Sequence, residues 1–294
     1  VHRPSPIGPA LLVVVAAISQ EVGAAFAVGL FSAVGPVGAV FGRLVVSGVL
    51  LCVAVRPRLR GLSRRALSSA GALAATLTVM NLCFYVSLTR IPLGVAVTIE
   101  AVGPLVLSVV VSSRKAAWLW AALALVGVAL LSLTGVRVGH VDAVGLGFAA
   151  AAGVSWAGYI LAAARAGAEL PRLDGLALAT TIGAAVTAPF ALLTVDADAL
   201  GWDVLALAVT VGLMSSVIPY SLELISLRRL PSETFAVLTC LSPVVAALAG
   251  WLVLGQHLAV TGYLAIVVVT VASIAAVRTA RDRLAHKETR LITA

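Results

Sequence analysis

The chain has 294 residues, 61% of them hydrophobic and only 11% charged, where an average soluble domain is about a quarter charged. That leaves too little polar surface to keep the apolar content in water, so the chain belongs in a bilayer. Spans of about 20 residues take up most of the length, which excludes a receptor ectodomain, a tethered soluble enzyme or a fused nucleotide-binding engine. The formal net charge of +8 does not argue for nucleic acid, because in a membrane protein the placement of Lys and Arg reports orientation.

Apolar runs broken by charge, Pro or Gly predict ten helices, at 8–30, 36–55, 67–88, 93–112, 116–135, 143–163, 175–194, 204–224, 233–254 and 259–277. The first run is longer than the apolar core of a signal peptide and contains no small-residue cleavage site, so it reads as the first span. With the N-terminus inside, every basic residue except Arg43, Arg90 and Arg137 falls in a cytoplasmic segment, while Asp142, Asp196, Asp198 and Asp203 fall outside. One missed or invented helix would scramble that partition, so it supports both the count and a cytoplasmic location for both termini. Cys52, Cys83 and Cys240 lie in apolar runs without C-x-x-C spacing; they read as small core hydrophobes, with no disulfide framework or zinc site.

The two halves echo each other. Pro92 and Pro104 recur as Pro231 and Pro243 at an offset of 139, and the same offset matches Ser87 with Ser226, Leu88 with Leu227, Arg90 with Arg229 and Val106 with Val245. A unit of five spans is odd, so its second copy must enter the membrane upside down. The predicted fold is therefore an all-α integral membrane protein of ten helices in two inverted repeats, 1–136 and 137–278, followed by a basic cytoplasmic tail at 279–294. Inverted repeats are the architecture of secondary transporters, whose substrate site lies between the halves.

Charges inside a span are costly and usually face the protein interior or a watery cavity. Glu21, Arg43 and Glu100 each lie roughly 10–13 Å below the outer surface on this topology, close enough to meet, with Arg43 expected within salt-bridge reach of Glu21 or Glu100. A structural Arg43–Glu100 pair is one reading. In the other, the excess carboxylate swaps a proton for a substrate ammonium while the planar guanidinium takes a substrate carboxylate. Pro104 and Pro243 remove the donors for the carbonyls at positions 100 and 239; helices broken at equivalent places point to a binding site, or they are packing kinks. Pro219, Tyr220 and Glu223 end the eighth span, where Glu223 reads as paired with Arg228 or Arg229 near the cytoplasmic face, and Glu233 reads as a helix cap.

Trp156 and Tyr159 sit mid-span, away from the interfaces such residues prefer, and either line a pathway or pack. Asn81 either binds substrate or bridges helices. Trp118, Trp120, Trp202 and Trp251 lie near span ends and read as interfacial anchors; His257 is assigned no role. The chain has no G-x-x-x-x-G-K-[ST], no H-E-x-x-H and no Gly-rich dinucleotide fingerprint, so neither ATP-driven transport by this chain alone nor metalloproteolysis has residues behind it. No enzymatic activity, cofactor or metal is expected.

Four stretches carry a resemblance over nearly the whole chain: PLGVAVTIEAVGP at 92–104, WAGYILAAARAGAEL at 156–170, PYSLELISLRRLPSETFAVLTCLSP at 219–243 and WLVLGQHL at 251–258. In these the chain resembles the drug/metabolite transporter superfamily, EamA-type, and within it the threonine/homoserine exporter family. Glu100, Gly103 and Pro104 fit that family's first motif, and Pro219, Tyr220 and Glu223 its second. The resemblance implies a multi-pass protein of the bacterial inner membrane that exports small amino acids on the proton gradient. Its implied partners are the amino acid, protons and the lipid bilayer, not nucleic acid, with a homodimer left open. Where relatives often read L-E-P and G-E, this chain has Leu241, Ser242, Pro243 and Gly255, Gln256, which places proton coupling on Glu21 and Glu100. Two alternatives stand beside this: export of drugs, hydrophobic cations or other metabolites, and a non-transporting assembly or sensor subunit.

Overall fold

The protein is seen here as a computed structural model that describes residues 7–57, 61–112, 118–120, 122–127, 142–196, 200–227 and 238–275. Among the described residues every regular element is helical. In chain order these are α1 (Ile7–Val28), α2 (Phe31–Val55), α3 (Arg64–Leu88), α4 (Leu93–Glu100), α5 (Val102–Ser112), α6 (described at 118–120 and 122–127), α7 (Ala143–Glu169), α8 (Asp174–Thr194), α9 (Trp202–Gly212), α10 (Ile218–Leu227), α11 (Ser242–Leu254) and α12 (Val260–Ala275). A π-helical turn, Leu213–Val217, joins α9 to α10. Six stretches are long and apolar enough to cross a membrane: α1, α2, α3, α7, α8 and the run Trp202–Glu223; the remaining apolar helices are shorter.

Polarity is arranged inside out relative to a water-soluble protein. Leu193 is 85% and Trp202 88% exposed, whereas Glu21, Arg43 and Glu100 are at most 8% exposed. Charges gather inside while leucines face outward, as expected where lipid is the solvent. Of the four tryptophans read as anchors, Trp118, Trp202 and Trp251 are exposed, whereas Trp120 is partly buried against Leu105 and Ala124.

The helices meet through small residues, which let backbones approach where no hydrophobic force drives association in lipid. A Cβ on Gly94 of α4 would lie 2.9 Å from Ala247 Cα of α11, one on Gly48 of α2 would lie 3.1 Å from Thr181 Oγ1 of α8, and one on Gly212 would lie 2.6 Å from Val46 Cβ of α2. Further pairs are α3 with α7 and α8, α1 with α10 and α11, α2 with α9, and α4 with α7. Leu105 of α5, Trp120 and Ala124 of α6, and Val269 and Ala272 of α12 form a separate apolar cluster.

Two boundaries among the described residues differ from expectation by five or six residues. α2 starts at Phe31 rather than 36, because Gly35 adopts φ 65 and kinks the helix just before Pro36, a residue suited to restart a helix after the break. α7 runs on to Glu169 rather than 163, because Arg165 is exposed and a solvated charge at a span end does not stop a helix. Ser63 caps α3 by accepting from Ala66 N at 3.0 Å. Asp142 caps α7 by accepting from Val144 N at 2.9 Å and is paired with Arg90.

Candidate functional site

The site forms where three helical ladders are interrupted. In the eighth span the π-turn sends Ile218 N–H to the Leu213 carbonyl, so the Met214 carbonyl loses its α-helical donor. Pro219 has no N–H, so Ser215 loses its donor as well. A buried carbonyl without a partner costs about 1–3 kcal/mol, and both are met from neighbouring helices. Ser19 of α1 donates to the Met214 carbonyl at 2.7 Å, and Arg43 Nη2 of α2 donates to the Ser215 carbonyl at 2.5 Å. Gly23 lets α1 press onto this turn, since a Cβ there would lie 2.8 Å from Ser215 N and 2.9 Å from Met214 Cβ.

The fourth span breaks between α4 and α5 at Ala101, three residues before Pro104, and the ninth turns at residues 240–241, just before Pro243. The expected breaks at these prolines are present. At the first, α7 packs backbone to backbone against the broken turn. Gly103 and Gly153 face each other too closely for any side chain, and a Cβ on Gly153 would lie 2.7 Å from the Glu100 carbonyl oxygen. Glu100 is thus the buried last residue of α4, fixed by the close approach of a second helix.

Arg43 makes no salt bridge to Glu21 or Glu100, contrary to the expected pair. Among the described residues the one salt bridge joins Arg90 to Asp142. The guanidinium is instead engaged by uncharged groups. Nε donates to Ser216 Oγ at 2.5 Å, Nη2 to the Ser215 carbonyl and to the Tyr220 hydroxyl at 3.2 Å, and Nη1 to the Tyr85 hydroxyl at 3.3 Å. It also lies 5.6 Å and 5.9 Å from the ring centroids of Tyr85 and Tyr220, within cation–π range. The pairing expectation failed because charge alone was counted, while the carbonyl freed by Pro219 and a ring of hydroxyls supplied acceptors.

The carboxylates nonetheless gather around it. Glu21 lies within electrostatic reach of Glu100, Arg43 and Glu223. Tyr159 interacts with Tyr220, Glu223 and Arg43, and its ring stacks tilted on Tyr220 at 6.0 Å. Asn81 donates to the Leu77 carbonyl at 2.7 Å and also meets the Tyr220 hydroxyl. Trp156 is half-buried against the core. Glu21, Arg43, Glu100, Asn81 and Tyr159 therefore share one interior region, with Pro219 shaping it. Glu223 lies within electrostatic reach of Glu21 and Tyr159; its expected partners Arg228 and Arg229, and Glu233, lie outside the described residues. Sequence reasoning missed Tyr85, Ser19, Ser215 and Ser216. The usable signal was Pro219 itself, whose i−4 position falls on the first of the polar pair in LMSSVIPY.

A polar, charge-bearing interior bounded by interrupted helices inside an apolar exterior defines a polytopic membrane transporter rather than an enzyme. The profile of the EamA-like transporter family matches residues 143–278. Threonine/homoserine exporter RhtA of Escherichia coli (strain K12) is 35% identical over 281 residues, covering 95% of either chain. The protein of that name from Salmonella typhimurium (strain LT2) is 35% identical over 274 residues, covering 93% of this chain and 92% of its own. A solved crystal structure superposes with a TM-score of 0.65 over 93% of this chain and 98% of its own at 22% identity, a likeness of fold. The chain belongs to the EamA-like transporter family, as an RhtA-like member.

Proposed function

We propose that this protein is a secondary active transporter that exports small amino acids of the threonine and homoserine type across the bacterial inner membrane by proton antiport. The observation that carries the reading is the cluster of Glu21 and Glu100 around Arg43, with Glu223 within reach of Glu21, deep between interrupted helices and without a salt bridge among the described residues. A zwitterion needs both signs of charge. The carboxylates can exchange a proton for its ammonium group, and Arg43 supplies the positive potential its carboxylate requires. The names of the relatives point to the same solute class.

Ten spans in two inverted repeats, with both termini cytoplasmic, complete the proposal. Under an exchange of halves at the offset of 139, α1 answers to α7, α2 to α8, α3 to α9 and α10, α5 to α11, and α6 to α12. The packing is consistent with that exchange: α3 on α7 answers to α1 on α10, α2 on α9 to α3 on α8, and α5 on α7 to α1 on α11, while α2–α8 answers to itself. The breaks at Ala101 and Cys240 stand at the same offset.

Carboxylates beside tyrosine rings also suit an organic cation that has no carboxylate, so the test must include one. Radiolabelled counterflow in proteoliposomes, across threonine, homoserine, serine, leucine and tetraphenylphosphonium, separates the readings. Accelerated exchange of threonine or homoserine supports amino-acid export. Exchange of the cation alone overturns it.

A further inference from the structure

Arg43 can only donate, and this fixes the role of each hydroxyl it touches. The Tyr85, Tyr220 and Ser216 oxygens all accept from it, so each of these hydroxyls must direct its own hydrogen away from the guanidinium. Tyr85 is fully buried, and among the described residues its hydroxyl makes no other hydrogen bond. A buried O–H donor without an acceptor is costly unless a ligand completes it. Both tyrosine rings are braced: Tyr85 lies 5.7 Å from Phe31 and 6.0 Å from Phe84, and Tyr220 lies 6.0 Å from Tyr159. The two hydroxyls come from α3 and α10, one in each half of the chain, and converge on one cation.

We propose that Tyr85 and Tyr220 are the residues that recognise the substrate carboxylate, their hydroxyl protons turned toward it by Arg43, which stays behind them as a positioning residue. The proposal rests on the amino-acid reading above and specifies its anionic end. Four of the five guanidinium N–H groups are already engaged by the chain, so a bidentate fork to substrate would require dismantling the π-turn clamp, whereas the phenolic proton of Tyr85 is held by no acceptor among the described residues. Tyrosine hydroxyls polarised by a cation also bind a carboxylate reversibly, which suits a site that must release its cargo.

The test compares threonine with threoninol, which keeps the ammonium and replaces the carboxylate with a hydroxymethyl group. Both compete against labelled threonine counterflow in the parent, Tyr85→Phe and Tyr220→Phe, variants that remove one oxygen and keep the ring. Threonine-induced thermal stabilisation of the purified proteins is a second measure that needs no transport. The expected result is that the preference for threonine over threoninol falls about tenfold in each variant, as for loss of one hydrogen bond to a charged group, and that stabilisation by threonine falls with it. Unchanged discrimination in both variants, while the parent exchanges threonine, overturns the tyrosine assignment alone. A parent that exchanges no small amino acid overturns the amino-acid reading and this proposal with it.

Discussion

Arg43 of α2 donates at 2.5 Å to the carbonyl of Ser215, the group whose helical donor Pro219 has taken away. A charge that would be costly facing lipid thus stands in for a missing backbone N–H, and it ties the second span to the interrupted eighth. The same guanidinium reaches Tyr85 in the third span. Movement of one half against the other would therefore have to break or carry along the bonds of Arg43.

Pro219→Ala restores an N–H beneath the Ser215 carbonyl. Proline in a helix interior costs about 3 kcal/mol, so the variant is expected to unfold at a higher temperature while exchanging substrate more slowly, because the carbonyl no longer depends on Arg43. Thermal unfolding in detergent and counterflow read the two effects. Higher stability with exchange at the parent rate would make the π-turn incidental.

Arg43→Lys replaces a planar fork with a point charge that cannot span Ser215, Ser216 and both tyrosines. At least one buried acceptor should be left unmet, for a loss of about 1–3 kcal/mol of stability, together with a raised KM for threonine. A lysine variant with parent stability and KM would show that the observed hydrogen bonds carry no weight.

Two glycines of α7 make a matched pair. Alanine at Gly153 would press on Glu100 Cα at 3.2 Å and on its carbonyl at 2.7 Å, whereas alanine at Gly147 meets nothing within 4 Å. Gly153→Ala is expected to cost about 1–3 kcal/mol through overpacking, and Gly147→Ala to be neutral or slightly stabilising through better helix propensity. Equal melting temperatures for the two variants would contradict the close approach.

Asp142, outside the spans, is held below the usual carboxylate range by its hydrogen bond with Arg90 and by the Val144 N–H. A depressed value means its stabilisation is present above the unfolded-state value of about 4 and is lost as pH falls through the folded value. The melting-temperature gap between the parent and Asp142→Asn should hold from neutrality down to about pH 5 and close in stronger acid. A gap that widens in acid would reverse the sign of the argument.

Much of this architecture could be read from the sequence because lipid imposes simple rules. Apolar runs placed α1, α3 and α8 within a few residues, and Pro104 and Pro243 marked the two breaks. Glu21, Arg43 and Glu100 stood out as charges in apolar runs and do share one interior region. Their partners were harder to see. Tyr85 and Ser216 look ordinary in sequence and gain their role only when α2 brings Arg43 against them, and no periodicity reports a π-turn. Glu223 was expected to pair with the two arginines that follow it in sequence; those lie outside the described residues, and Glu223 is within electrostatic reach of Glu21 and Tyr159.

The central claim is that the buried carboxylates couple proton entry to amino-acid exit. The most direct measurement is threonine and homoserine efflux from loaded vesicles, with and without an imposed pH gradient, for the parent, Glu21→Gln and Glu100→Gln. The parent should respond to the gradient, and Glu100→Gln should lose gradient-driven efflux while still exchanging solute, because exchange needs no net proton movement. Parent efflux indifferent to the gradient, or full gradient-driven efflux in both glutamine variants, would contradict the account.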